Sequence, residues 1–128
     1  MAPIDCPCGS GVSYASCCGD IHERGGAGLG TEAVALMRAR YSAYVHHDEG
    51  FLLQSWHPDT RPDSVSFVPG LRWLGLDIVE IGGGTSIDDE GTVEFRARFA
   101  LRGAEPAELH ERSRFVRVAG HWQYVDGS

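Results

Sequence analysis

Four cysteines stand within the first eighteen residues, as Cys6-Pro-Cys8 and the adjacent pair Cys17-Cys18, and the rest of the chain has none. A segment this short and rich in glycine cannot bury a core of its own. Either a metal or disulfides must give it shape. Disulfides belong to oxidising compartments. No basic start followed by an apolar stretch precedes the cysteines, so export is not expected and the chain reads as cytoplasmic. Reduced thiols there read as metal ligands. Zn²⁺ favours four thiolates in a tetrahedron, and such a closed shell is structural, with no position left for a substrate.

The wording around the thiols goes further. Cys6-Pro-Cys8-Gly9-Ser10-Gly11, then Tyr14, then Cys17-Cys18-Gly19 resembles the SEC-C motif, the zinc-binding element at the tail of the SecA preprotein-translocase motor. The resemblance implies Zn²⁺ held by Cys6, Cys8, Cys17 and Cys18. Some SEC-C copies have histidine as the last ligand where this chain has Cys18, which makes His22 the spare candidate. The lysines usual between the two pairs are absent; Val12, Ser13, Ala15 and Ser16 stand there. That weakens the carry-over of a basic binding surface to this knuckle.

A chain of 128 residues holds one ordinary domain beside this appendage. The expected division is a zinc-binding motif over 1–24, a glycine-rich linker over 25–31 and an α+β domain over 32–128. The linker lets the knuckle move unless Ile21 and Leu29 dock it. No apolar run approaches the roughly 18 residues of a membrane span. The net charge of −7 disfavours broad nucleic-acid binding, which needs phosphates neutralised. The charge is uneven: residues 1–91 carry 13 acids against 5 arginines, and residues 92–128 carry 5 against 6. Arg96, Arg98, Arg112 and Arg114 share one parity on two expected strands. Their face reads as a solvated outer surface, or alternatively as a surface for RNA or another anion.

Thr31 and Glu32 open a helix, the threonine as cap and the acid near the positive end. Ala33, Val34, Met37, Tyr41, Tyr44 and Val45 recur at helical spacing to about residue 47, with Arg38, Arg40, His47 and Asp48 on other faces. A second helix covers Glu49–Trp56, since His57-Pro58 stops it. Residues 59–70 are turn-rich, with a short helix possible over 63–67. The period then becomes two, and strands are expected over 72–81, 91–101, 107–118 and 121–125. The first of these is bounded by Gly82-Gly83-Gly84. Short links imply an antiparallel meander whose apolar face packs on the long helix, an α+β arrangement in two layers.

Met37-Arg38-Ala39-Arg40-Tyr41-Ser42-Ala43-Tyr44, Trp56-His57-Pro58, Trp73-Leu74-Gly75-Leu76, Glu111-Arg112-Ser113-Arg114-Phe115, and then Trp122, Tyr124 and Asp126-Gly127, follow in an order that resembles the YchJ family. These small bacterial proteins join an N-terminal SEC-C motif to an NTF2-like (cystatin-like) domain. The resemblance spans nearly the whole chain. It implies a cone formed by one long and one short helix on a curved four-stranded antiparallel sheet. The family carries no assigned reaction, so the resemblance supplies fold and zinc but no chemistry.

Such cones hold a pocket between helix and sheet. Tyr41, Trp56, Trp73, Ser113 and Phe115 are the candidate lining. Glu111 shares parity with Leu109, Ser113 and Phe115, so on a concave face its carboxylate points inward, where burial raises a pKa towards general acid–base use. His57 is its candidate partner. The competing structural readings make Glu111 an ion pair of Arg38, Arg40 or Arg112, and His57 a helix-end residue. No phosphate loop or nucleophile elbow is present. The leading expectation is a non-enzymatic zinc protein. Its knuckle meets a protein partner, of the ribosomal or chaperone-associated kind, while its cone binds a small ligand or dimerises. The alternatives are a small enzyme using Glu111 with His57, and an RNA-contacting protein.

Overall fold

In the computed structural model the described residues are 5–9, 13–23, 32–85 and 87–128. A 3-10 turn at Tyr14–Ser16 leads into α1 (Cys18–Glu23), and α2 (Ala33–His46) and α3 (Glu49–Gln54) follow. The sheet comprises β1 (Leu71–Gly83), β2 (Glu90–Leu101), β3 (Ala107–Val118) and β4 (His121–Gly127) in the order β1-β2-β3-β4, every neighbour antiparallel. The α+β class and the four-stranded meander therefore stand as expected. The expected linker over 25–31 and the cap at Thr31 lie outside the described residues.

α2 is covered on two sides, which explains its sequence. Met37, Tyr41 and Tyr44 turn toward the sheet, while Ala39, Ser42 and Ala43 are buried without any large side chain. Small residues let another element approach closely, and the cysteine knuckle occupies that space: Cys6 Sγ lies 3.5 Å from Ser42 Oγ, and Arg38 Nη1 donates to the Cys8 carbonyl at 2.9 Å. A helix buried on two faces cannot show a single apolar stripe.

The start of α2 is held by the sheet. The Ala33 amide donates to the Gly84 carbonyl at 2.9 Å, and Glu32 at the cap position makes no side-chain bond of its own. A Cβ on Gly84 would meet Ala33 Cβ at 2.8 Å. The glycine run read as the end of β1 thus serves a close approach, and β1 continues through Gly83, paired with Gly91. His47 closes α2 in the left-handed region, and Asp48 caps α3 by accepting from the Phe51 amide at 3.1 Å.

α3 ends at Gln54, two residues before the expected stop. Ser55 and His57 are drawn into main-chain bonds with Tyr124, the Tyr124 amide donating to Ser55 O and the His57 amide to Tyr124 O, each at 2.8 Å. The sheet edge takes these groups from the helix. No helix forms over 63–67; Val65 and Phe67 pack on the core in irregular chain, and the Val65 amide donates to Glu49 Oε2 at 2.9 Å.

Val93, Phe95 and Ala97 are buried on the concave face, as their parity requires. On the convex face, Arg98 pairs with Asp77, Arg112 lies between Glu80 and Glu94, His110 bonds Glu94, and Arg114 grips Asp126 through two bonds of 2.6 and 2.7 Å. The arginine-striped face is therefore largely engaged with carboxylates across the strands. The hydrogen bond from His110 holds the Glu94 carboxyl below its usual range, and the Arg114 fork does the same for Asp126. Both native pKa values are depressed. Their stabilising contribution is complete above the ordinary carboxylate range and is lost as pH falls through it. The melting temperature should thus drop as pH is lowered from 7 to below about 4. Glu94→Gln combined with Asp126→Asn should flatten that drop; an unchanged pH profile in the double variant would show that these pairs contribute nothing.

Candidate metal centre and cavity

The knuckle is built by turns that point thiols inward. The Gly9 amide donates to Cys6 O, and the Cys17 amide to Tyr14 O in the 3-10 turn. Cys18 then opens α1. At Gly19 a Cβ would meet Tyr14 O at 2.6 Å and the Tyr14 ring at 2.9 Å, so only glycine allows this turn to close. The four Sγ atoms lie within 4.8 Å of one another, with Cys8–Cys17 at 3.7 Å and Cys17–Cys18 at 4.0 Å. A tetrahedron with metal–sulfur bonds of about 2.3 Å has edges of about 3.8 Å, so the spacing fits one divalent ion among four thiolates. No disulfide joins the cysteines.

Cys8 and Cys18 are wholly buried and Cys6 nearly so. Burial pushes the Cys18 thiol up strongly. At Cys6 burial also raises the pKa, but the bond to Ser42 and the amides of Cys8 and Cys18 outweigh it and bring the thiol to about 7. Thiols this crowded cannot all ionise unaided, and a bound cation reverses that by deprotonating its ligands outright. The His22 side chain lies outside the described ones.

The knuckle is no detached appendage. Cys6, Cys8 and Cys18 belong to one apolar cluster with Leu36, Met37, Leu52 and Phe115, and Tyr14 and Ile21 pack against it. The rings of Tyr14 and His46 stand 4.5 Å apart. Ile21 packs against the core, the contact on which the mobility of the knuckle was made to depend, whereas Leu29 lies outside the described residues.

Between α2 and the concave sheet is a cavity of about 280 Å³. Tyr41, Trp73 and Ser113 line it, and so does Glu111, whose carboxylate accepts from Ser113 Oγ at 3.2 Å. No arginine forms an ion pair with Glu111 among the described residues. Phe115 is 1% exposed and sits in the core against Tyr124, and Trp56 stands edge-on to Tyr124 at 5.2 Å; neither is in the cavity wall. His57 is not there either. Its amide is committed to Tyr124 O, and its Nδ1 accepts from the Asp59 amide at 3.1 Å, so it shapes the turn after α3. Glu111 and His57 are not brought together as a catalytic pair.

The wall also holds Arg40, Tyr44 and Tyr124, which the sequence reading did not assign to it. Arg40 was placed on another face of the helix; it is 4% exposed. Its Nη1 donates to Leu52 O at 2.8 Å and Ser55 Oγ at 2.6 Å, and its guanidinium lies 4.8 Å from the Trp56 ring centroid and 4.5 Å from that of Tyr124. Burial lowers its pKa to about 10, against the favourable influence of Tyr44 and Tyr124, so it remains cationic at neutral pH. The signal for this was spacing: Met37, Arg40, Tyr41 and Tyr44 fall on one side of a 3.6-residue helix, but an arginine in a helix ordinarily reads as solvated.

The family model described as "YchJ, middle NTF2-like domain" matches residues 32–127, and that of the SEC-C motif matches residues 5–20. A UPF0225 protein of Streptomyces coelicolor is 49% identical over 127 residues, covering 99% of this chain and 97% of its own. A UPF0225 protein of Xanthomonas campestris is 45% identical over 128 residues, covering 97% and 95%. Among solved structures, a SEC-C motif containing protein from Rhodopseudomonas palustris superposes with a TM-score of 0.81 at 30% identity over 98% of both chains. Another, from Psychrobacter arcticus, shares the fold with a TM-score of 0.76 at 24% identity, covering 94% of this chain and 80% of its own. No helix among the described residues is long and apolar enough to cross a membrane.

Proposed function

We propose, for a chain that belongs to the YchJ family of SEC-C and NTF2-like proteins, that it is a non-enzymatic zinc protein whose knuckle meets a protein partner and whose cone binds a small ligand. The observation that carries the zinc assignment is the mutual spacing of four thiols, with Cys8–Cys17 at 3.7 Å and Cys17–Cys18 at 4.0 Å inside a 4.8 Å cluster. Four sulfur donors in a tetrahedron are the donor set of structural Zn²⁺. Cys6, Cys8, Cys17 and Cys18 would hold the ion. Ser42 orients the Cys6 thiol, and Arg38 fixes the Cys8 carbonyl. When bound, the ion supplies cross-linking and charge, not an open coordination position. With all four sulfurs turned inward, Asp5, Gly9, Ala15 and Ser16 form an exposed rim that a partner can meet.

Protein purified from a reducing cytosol without chelator should carry about one zinc per chain by elemental analysis. It should release the ion on acidification, as thiolates take up protons. Metal-free protein with an ordered knuckle would defeat the assignment. An affinity capture comparing wild type with Cys17→Ser tests the partner: a protein retained by the first and lost with the second is expected, and identical captures would remove the knuckle from partner binding.

A further inference from the structure

Arg40 is the one buried cation in the cavity wall, and no carboxylate pairs with it among the described residues. A charge taken out of water ordinarily finds an opposite charge. Here its partial compensation comes from Leu52 O, Ser55 Oγ, the Tyr44 hydroxyl and the faces of Trp56 and Tyr124. The bonds to Leu52 O and Ser55 Oγ leave from Nη1, and the Tyr44 hydroxyl, itself on the cavity wall, accepts a further one from the guanidinium. Glu111 stands on the same wall, where among the described residues Ser113 Oγ donates to its carboxylate. No ion pair joins Arg40 and Glu111, and the Tyr124 phenol feels both charges. Burial foremost, with Glu111 adding to it, pushes that phenol up to about 12, so it stays protonated and can donate.

The rest of the wall is apolar and aromatic. Tyr41 and Trp73 meet edge to face at 5.9 Å, and Tyr44 stands 6.3 Å from Trp73. Such rings favour a flat aromatic guest in offset or edge contact. The volume of about 280 Å³ is nearly twice the roughly 150 Å³ that holds a benzene, so it has room for one substituted aromatic ring.

We infer that the cavity takes a small aromatic monocarboxylate, its carboxylate on the Arg40 guanidinium and its ring against Tyr41 and Trp73. Arginine recognises carboxylate through paired, charge-assisted bonds. Glu111 sets the limit of one negative charge, because a second carboxylate near it would be repelled. This ligand class rests on the reading that the cone binds small molecules, and it goes beyond that reading by naming the charge and the residue that selects it.

The test uses the full zinc-loaded chain and three probes: benzoate, its neutral counterpart benzamide, and phthalate with two carboxylates. Backbone and indole resonances are followed by NMR. Benzoate should shift the Trp73 indole and the Ser113 amide saturably. Benzamide and phthalate should bind at least about tenfold more weakly, the size expected for a lost bond to a charged group. Arg40→Met should erase the preference for benzoate over benzamide while zinc content stays unchanged. Equal binding of benzoate and benzamide to the wild type would overturn the anion assignment yet leave a small-ligand cone standing. Shifts that map away from Trp73 and Ser113 would also overturn it, as an adventitious additive only. No saturable shift with any probe would overturn the ligand class and the ligand-binding reading together. The wild-type comparison decides even if Arg40→Met fails to fold.

Discussion

Cys8→Ser is expected to strip zinc from the knuckle and to loosen α2 along with it. Cys8 is wholly buried, and its sulfur is the one 3.7 Å from Cys17. Serine is a poor ligand beside three thiolates, and the loss of affinity should exceed the about 10–100-fold that changes behind the first ring of ligands typically cost. Zinc binding in such segments is worth an apparent ~10–16 kcal/mol, much of it spent on folding the peptide that supplies the thiols. A freely tethered knuckle would confine the damage to its own residues. This one shares a core with Leu36 and Met37, touches α2 at Ser42, and receives a bond from Arg38. Hydrogen exchange should therefore accelerate at Cys17–Glu23 and also in the first half of α2. Zinc retained at wild-type stoichiometry would break the ligand assignment. Normal protection throughout α2 would break the claim of a shared core.

Phe115→Ala should be the most damaging single change in the sheet. Phe115 is 1% exposed and packs against Tyr124 at 5.8 Å between ring centroids. Truncating a buried phenylalanine costs about 3–5 kcal/mol through lost transfer and the void left behind. For a chain of this size that corresponds to a fall in melting temperature on the order of 10–20 °C, readable by circular dichroism. Zinc content should not change, because Phe115 is not one of the four thiol ligands. A fall of only about 2 °C would show that the site collapses around the deletion or was never packed.

The meander was legible because each strand announces itself twice. Val93, Phe95 and Ala97 alternate with Glu94, Arg96 and Arg98, and Ala119-Gly120 marks a turn that left-handed φ values confirm. The parity of β3 likewise puts Glu111 and Ser113 on one face, and that face is the cavity side. The thiol cluster was legible from four letters and their neighbours. Three things were not. Ser55 and His57 look like the tail of a helix, yet Tyr124 takes their main-chain groups across a separation that local pattern cannot see. Gly84 looks like punctuation, whereas it makes room for Ala33. Arg40 looks like a solvent-facing charge, and Leu52 O, Ser55 Oγ and the rings of Trp56 and Tyr124, none of them on its own helix, show why it is inside. In each case a partner distant in sequence decided the outcome.

The helix Ala33–His46 has the thiol cage at its back and the hollow of the cone at its front. A beam clamped from behind resists bending at its free side. The ion would then govern, from behind the beam and without touching anything in the hollow, how rigidly Met37, Arg40 and Tyr41 are presented there. Rigid presentation lowers the ordering cost of whatever enters. By thermodynamic reciprocity, a guest in the hollow would tighten the grip of the cage on its ion by the same factor.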